Sequence, residues 1–303
     1  MAVTIIASTT GGAPSMTGVA GSLISVLDFC LVTTLGWTKP FTGTNLASYR
    51  QPTGTSNGMY LAVDDTGGRS ARVRGFEAMT AVTTGTGPFP TDAQVSGGLF
   101  VHKSVTADAT ARPWYFISDG KHFHFHIVND GTTPFGTVSG TMWSFGDFVS
   151  YKPGDTFNTM IVADTTTLAT GSSTIYTTIS AGVSSPLSGH YVARAHTQLG
   201  GSTQVNRFGD AAEIQTTNLG NSTALTFPSV IDGGIHLSRL WVGEAAGRRG
   251  RYPGAWCPMH AVASMNSGDT FTGSGDLTGR TFINIRFAST FSVILETSDT
   301  WST

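Results

Sequence analysis

Three histidines alternate with apolar residues in one short stretch, at His122, His124 and His126. Successive side chains of a β-strand point to opposite faces, so we expect the three imidazoles to share one face. Neutral imidazole is a common zinc ligand, which makes these residues candidates for a metal site. The opposite face would carry Phe123 and Phe125, which favours a simpler interpretation. We predict a hairpin strand with a buried aromatic face and a histidine face that is polar or contacts another subunit, with no metal and no cofactor.

Two other strings match the letters of catalytic motifs. Residues 54–58 have the pattern G-x-S-x-G, but a nucleophile elbow lies between a strand and a helix, whereas a turn precedes and a strand follows here. Asp64 and Asp65 could form a carboxylate pair of the kind that glycosidases use. Adjacent strand residues point to opposite faces, so these carboxylates cannot act together. We expect the protein not to be an enzyme, although the sequence leaves open a single catalytic carboxylate elsewhere.

Residues 247–254 hold three arginines within four positions, Arg248, Arg249 and Arg251. A guanidinium group binds carboxylate or phosphate through two parallel hydrogen bonds. Glycine and proline in this segment predict a loop, and we expect its arginines to contact acidic residues of an adjoining chain or to be solvated. The net charge of −2 and the pI near 6.4 argue against nucleic acid as a partner.

The overall composition bounds the class of protein. Only 12 % of the 303 residues are charged, about half the usual share, and 39 % are hydrophobic, with 18 Phe and 6 Trp. These values exclude a disordered chain and a coiled coil, and they favour a strand-rich globular protein. No apolar run approaches the ~18 residues of a membrane span, and the N-terminus lacks the basic start of a signal peptide. We expect synthesis in a cytoplasm, with Cys30 and Cys257 free and buried.

One segment, residues 22–32, has helical periodicity, with Ser22 as its candidate N-cap and Gly36 just beyond its end. Its apolar positions include Leu23, Val26 and Leu27. Residues 1–36 carry a single formal charge, so their surface would be poorly soluble unless it were covered. We expect the helix to be buried against the rest of the fold or a neighbouring subunit, and we predict that residues 1–36, an N-terminal strand and the apolar helix, form an attachment segment. Residues 37–303 would form the body, with a weak boundary near 152–154.

The clearest strand signal is a hairpin. Two aromatic runs, 114–118 and 121–128, flank Asp119-Gly120, a dipeptide typical of a two-residue type I′ turn. Such a turn would pair Ser118 with Lys121 and Phe116 with Phe123. Further strands are predicted at 60–63, 71–74, 76–79, 99–102, 142–149, 157–163, 191–196, 235–242, 282–287 and 291–295. This pattern predicts a mainly β fold, an antiparallel β-sandwich or jelly-roll-like body with one N-terminal helix.

Ten short strings are spread over nearly the whole chain: LDFCLV (27–32), GWTKPF (36–41), YLAVDD (60–65), ARVRGF (71–76), GTGPFP (85–90), ADATARPW (107–114), FGDF (145–148), KPGD (152–155), WCPMH (256–260) and ETSDTW (296–301). In this order they resemble a family of structural proteins from the virions of tailed bacteriophages. The resemblance implies a component of the tail, the baseplate or the collar, assembled in the bacterial host cytoplasm. It brings no catalytic residues with it.

The expected function is therefore structural, through contacts in a symmetric homo-oligomer, with a trimer as the first expectation, and with other virion proteins. One alternative is a receptor- or carbohydrate-binding module of the tail, in which Trp143, Trp241 or Trp256 would stack on a host glycan, although burial is expected for each. A capsid decoration or head-fibre protein and a cell-envelope hydrolase are further alternatives. The Thr- and Ser-rich stretch 165–189 is expected to be a surface arm or part of a subunit contact.

Overall fold

A computed structural model describes residues 2–129, 140–166, 189–209, 228–259, 265–286, 292–298 and 301. These residues form three antiparallel β-sheets and one short α-helix, so the predicted mainly β, sandwich-like fold is confirmed. The body differs from a two-sheet sandwich because a third sheet is stacked on it. The described helices include none that is long and apolar enough to cross a membrane.

The chain fills the three sheets largely in sequence order. The N-terminal sheet contains β2 (Thr38–Gly43), β3 (Leu46–Arg50), β4 (Tyr60–Asp64), β5 (Ser70–Ala81), β6 (Thr84–Phe89) and β7 (Leu99–His102), the last paired with β5. The middle sheet has the order β1 (Thr4–Ala7), β8 (Trp114–Ser118), β9 (His122–Val128), β10 (Gly140–Asp147), β12 (Thr159–Val162), β13 (His190–Val192) and β14 (Thr203–Gln204). The C-terminal sheet has the order β15 (Asn206–Gly209), β16 (Leu237–Glu244), β17 (Gly247–Pro258), β20 (Ser292–Glu296), β19 (Thr281–Arg286) and β18 (Thr270–Thr272), and β11 (Val149–Ser150) pairs with β17.

The middle sheet is covered on both faces. In β9, Phe123 and Phe125 belong to the core shared with the N-terminal sheet, where Tyr49 and Leu61 lie. The alternate residues of the middle sheet face a second core shared with the C-terminal sheet. Every residue of β9 and of β12 is therefore buried, although the sequence of β9 alternates in polarity. A sheet with both faces covered loses the usual division into a wet face and a dry face.

The helical segment differs from the prediction in its cap and its length. An α-helix, α1 (Ser22–Leu27), continues as a π-helix over Asp28–Thr34. Ser22 does not cap the helix, because its hydroxyl donates to the carbonyl of Thr17 at 2.8 Å. The carboxylate of Asp65 accepts the N–H groups of Leu23 (2.8 Å) and Ile24 (3.3 Å) instead. A distant residue thus supplies the acceptor that the first turn requires.

The N-terminal segment is part of the body. Leu23, Val26 and Leu27 are interface candidates of a helix expected to pack on its own fold or on a neighbouring subunit, and all three are fully buried in the core of the N-terminal sheet. The apolar surface that suggested an attachment segment is thus covered by the chain itself. The N-terminal strand β1 pairs with β8, which ties this segment to the middle sheet. Residues 152–154 do not mark a boundary either, since β10 and β12 on either side of them are neighbours in one sheet.

The hairpin of β8 and β9 is confirmed, but its predicted register is wrong by two residues. Ser118 pairs with Phe123 and Phe116 with Phe125. The loop is longer than a type I′ turn because the side chain of Asp119 accepts the N–H groups of Lys121 (2.9 Å) and His122 (2.8 Å). A shift of two residues keeps every side chain on its predicted face.

The predicted basic loop is a strand. Residues 247–254 lie in β17, a 12-residue strand between β16 and β20. The pairing of β16 with β17 shifts register twice, which lets a strand rich in glycine and arginine remain paired. A single strand, β5, takes the place of the two strands predicted on either side of Gly75, and the strands β2, β3 and β6 were not predicted. Cys30 and Cys257 are both free and buried, as predicted. Most of the stretch 165–189 lies outside the described residues.

Candidate functional site

The three histidines of β9 share one face, as predicted, but that face is buried inside the chain and not polar or exposed to a partner. His122, His124 and His126 are each at most 2 % exposed, between the middle and C-terminal sheets. The Nε2–H of His124 donates to the carbonyl of Pro253 at 2.8 Å, and burial lowers the pKa of His124 and His126 to about 4. The described residues contain no group of three or more His, Cys, Asp or Glu that could hold a metal ion.

The residues that match the letters of catalytic motifs make local structural contacts instead. Ser56, in residues 54–58, donates its hydroxyl hydrogen to the carbonyl of Pro52 at 2.7 Å, as a turn residue does. Asp64 accepts from the backbone and hydroxyl of Thr66. Asp65 is fully buried and pairs with Lys103. Asp64 and Asp65 therefore bind separate partners of their own chain.

The three arginines of β17 have separate environments. Arg249, predicted to contact another chain, is 4 % exposed and makes a bidentate ion pair with Asp155, at 3.0 Å for both bonds. It also contacts Glu244 at 2.7 Å. Arg248 is exposed and stacks over Trp241, with its guanidinium carbon 4.9 Å from the ring centroid. Arg251 is the cross-strand partner of Trp241.

Arg249 is the centre of a charged network that links the three sheets. Glu244, at the end of β16, accepts from Arg249 and lies 2.6 Å from Nδ1 of His196. Burial alone would raise the pKa of Asp155, but hydrogen bonds from Arg249 and Ser150 and the guanidinium charge bring it below its ordinary value. Arg249 also donates to the carbonyl of Arg194, whose side chain pairs with Glu77 of β5 through two bonds of 2.6 Å. The network fixes the loop of residues 149–155 against the edge of the body.

Of the three tryptophans considered as sugar platforms, Trp143 and Trp256 are buried. Trp241 is partly exposed on the outer face of the C-terminal sheet. Tyr151, 48 % exposed, lies beside it, with ring centroids 5.8 Å apart and planes inclined by 50°. The fold thus places two aromatic rings together at the surface that are 90 positions apart in sequence.

Tyr151 lines an open cleft of about 400 Å³, which we call the aromatic cleft, and Trp241 lies beside Tyr151 without lining the cleft itself. It is lined by Tyr151, Lys152, His196, Glu244, Ala246, Gly247, Arg248 and Arg249. Three lining side chains are cationic, and the carboxylates of Glu244 and Asp155 both bind Arg249. In the part of the chain that the structure describes, no carboxylate forms an ion pair with Lys152.

A second opening, the polar cleft, lies on the other side of the loop of residues 149–155. It has a volume of about 460 Å³, and Asp119, Lys121, Asp147 and Lys152 are among its lining residues. Burial raises the pKa of Asp119 and of Asp147. Asp147 accepts from Gln51, Asn57 and Thr159, so its oxygens hold the N-terminal sheet to the middle sheet. We interpret this cleft as a joint between layers.

Sequence reasoning missed four residues of the aromatic cleft: Tyr151, Lys152, His196 and Glu244. Their positions along the chain show no common motif, because the loop after β11, the loop after β13 and the end of β16 contribute them separately. Only the string KPGD, which begins at Lys152, drew attention to one of them. No protein-family model matches the chain, and no curated protein sequence matches it. The site is therefore interpreted from its own geometry.

Proposed function

We propose that this protein is a structural component of a tailed-bacteriophage virion, associated with the tail, the baseplate or the collar. It acts by contact with other surfaces, as part of a symmetric homo-oligomer, and not by catalysis. The ten strings that resemble virion proteins support this assignment. The main structural support for this assignment is that the acidic residues within those strings bind groups of their own chain.

Each described carboxylate of the ten strings accepts hydrogen bonds from at least two donor groups of its own chain. These carboxylates are Asp28, Asp64, Asp65, Asp108, Asp147, Asp155 and Glu296. A general acid or base needs a lone pair or proton directed at a substrate, and these carboxylates already accept hydrogen bonds from the protein itself. The residues that carry the resemblance therefore hold elements together. That use fits a particle component better than an enzyme.

The proposed assembly needs apolar surface that other copies or neighbours can cover. Val230 and Ile231 are 90 % and 92 % exposed, at the tip of a turn closed by hydrogen bonds between Ser229 and Gly234 and between Gly233 and Ser229. Apolar side chains displayed together on an ordered turn are typical of a protein contact. We propose that this turn contacts a sister copy, with a trimer as the assembly.

A receptor- or carbohydrate-binding role at the tail is the second candidate. The exposed pair of Tyr151 and Trp241 favours it over a capsid decoration or head-fibre role. Both roles place the chain on the particle.

The test is the location of the chain on particles made from the genome that encodes it. We expect a specific antibody to label purified particles at one place in electron micrographs, in a stoichiometric amount by mass spectrometry. Deletion of the gene, with the wild-type gene restored as control, would leave particles without that part. A chain that is absent from washed particles would overturn the proposal.

A further inference from the structure

The aromatic cleft combines an exposed aromatic ring with cationic side chains. Tyr151 presents about half of its side chain to solvent, and its ring lies 5.8 Å from that of Trp241. Two inclined rings form a shallow corner of apolar surface with polar tips. The apolar C–H face of a pyranose ring fits such a corner, while its hydroxyl groups remain in contact with water.

Cationic groups surround this corner. The guanidinium of Arg248 lies over Trp241 at 4.9 Å, and Arg251 is the cross-strand partner of Trp241. The ammonium of Lys152 lines the same cleft, and no carboxylate among the described residues pairs with it. Arginine and lysine beside an open cavity attract a carboxylate or a phosphate. The groups around the two rings therefore select a ligand with negative charge.

The floor of the cleft is rigid before any ligand arrives. The side chains of Arg249 and Asp155 are each 1 % exposed, and Glu244 connects Arg249 to His196. The backbone N–H of Tyr151 donates to the carbonyl of Arg249 at 2.8 Å, which anchors the main chain that carries the exposed ring. A site that is already ordered loses little conformational entropy on binding.

We infer that the aromatic cleft binds an acidic saccharide, with a pyranose ring stacked on Tyr151, beside Trp241, and the anionic group of the sugar held by Lys152 and Arg248. This inference rests on the proposed function, since a virion component at the tail meets the acidic glycans of the host surface. Single-stranded nucleic acid also stacks on aromatic rings beside cations, but it needs a groove that neutralises several phosphates. Here two carboxylates lie in the floor, and the chain has a net charge of −2.

The first experiment measures binding of the purified full-length protein to an array of bacterial surface glycans. Each acidic glycan on the array is paired with its carboxyl-reduced form, and decathymidylate serves as the nucleic-acid probe. We expect binding to an acidic glycan and at least tenfold weaker binding to its reduced form. Equal binding of the two forms, no acidic glycan bound, or binding of decathymidylate alone would each overturn the inference.

The second experiment locates the site with matched variants that keep the wild-type circular dichroism spectrum and melting temperature. We expect Tyr151→Ala to weaken binding of the acidic glycan about tenfold. Its control, Tyr60→Ala, removes a tyrosine ring outside the cleft, over which Arg50 lies at 5.1 Å from the centroid. An unchanged affinity in Tyr151→Ala, or an equal loss in both variants, would contradict the inference.

Lys152→Gln tests the selection of charge. It is expected to abolish the preference for the acidic over the reduced form, whereas Lys121→Gln, in the polar cleft, keeps that preference. An equal effect of both lysine variants would place binding outside the aromatic cleft and overturn the inference. Antibody labelling of particles does not depend on glycan binding. A chain found on particles that binds no acidic glycan would thus reject this inference and leave the proposed function standing.

Discussion

The carboxylate of Asp65 and the ammonium of Lys103 form an ion pair in which neither side chain is exposed to solvent. Lys103 also donates to the carbonyls of Val19 (2.8 Å) and Gly67 (2.9 Å). The second oxygen of Asp65 accepts the first N–H groups of α1. Burial raises the pKa of Asp65 and lowers that of Lys103, so each charge depends on the other. This pair joins the helix to the N-terminal sheet.

Lys103→Met is therefore expected to destabilise the protein strongly. It leaves the Asp65 carboxylate buried without a countercharge, and loss of one partner of a buried pair costs about 3–5 kcal/mol. Urea unfolding measures this change in the free energy of unfolding. The control, Lys39→Met, removes a lysine whose pair with Asp28 is partly exposed, and it should cost about 1 kcal/mol or less. Equal losses in the two variants would contradict a structural role for the buried pair.

The same substitution should destabilise the protein strongly at Arg249 and hardly at all at the neighbouring Arg248. Arg249→Gln removes the guanidinium that pairs with Asp155 and Glu244, and we expect a loss of about 3 kcal/mol or more in the free energy of unfolding. Arg248→Gln changes an exposed side chain and should stay within about 0.5 kcal/mol of wild type. Thermal and urea unfolding of both variants measure the difference. A stable Arg249→Gln protein would show that the network does not hold the sheets together.

The buried histidines should make the protein less stable in mild acid. Burial lowers the pKa of His124 from 6.5 to about 4, so between these values the unfolded chain binds a proton that the folded chain does not. The stabilisation by neutral His124 is complete above pH 6.5 and is lost as the pH falls towards 4, by about 3 kcal/mol. Urea midpoints at pH 7.5 and pH 4.5 measure this loss.

His124→Gln isolates the contribution of this histidine, because buried carboxyl groups titrate in both proteins. We expect a smaller decrease in stability between the two pH values for His124→Gln than for wild type. His236, whose side chain is 52 % exposed, provides the control, and His236→Gln should keep the wild-type pH dependence. If His124→Gln lost as much stability between the two pH values as the wild type does, groups other than His124 would cause the acid sensitivity.

Gly75 and Phe89 are cross-strand partners in β5 and β6, and a Cβ atom at Gly75 would lie 2.2 Å from the Phe89 ring. Gly75→Ala is expected to cost about 1–3 kcal/mol, because the fully buried ring must move. Phe89→Leu should recover part of that loss, so the double variant would be more stable than the two separate losses predict. Gly11→Ala, where nothing lies within 4 Å, is the control for urea unfolding. Additive losses would indicate that the ring does not cause the strain.

The strands were the most predictable part of the molecule, because alternation of side chains is a local property of the backbone. The hairpin of β8 and β9 was found from Asp119-Gly120 and its aromatic flanks. The register of the hairpin could not be predicted, because the loop length depends on hydrogen bonds that the Asp119 side chain makes. The faces remained correct because a shift of two residues preserves them. β17 was mistaken for a loop, because glycine, proline and arginine are uncommon in strands and only its paired neighbours stabilise it.

The sequence by itself determined the mainly β class, the single helical segment and the sharing of one face by His122, His124 and His126. Tertiary structure alone decided what covers each surface. It buried the histidines under a third sheet, buried Leu23 in the chain's own core, and brought Tyr151 beside Trp241. Periodicity is set by bonds between adjacent residues, whereas burial and the cleft depend on which distant strands pack together. A local pattern contains no information on that choice.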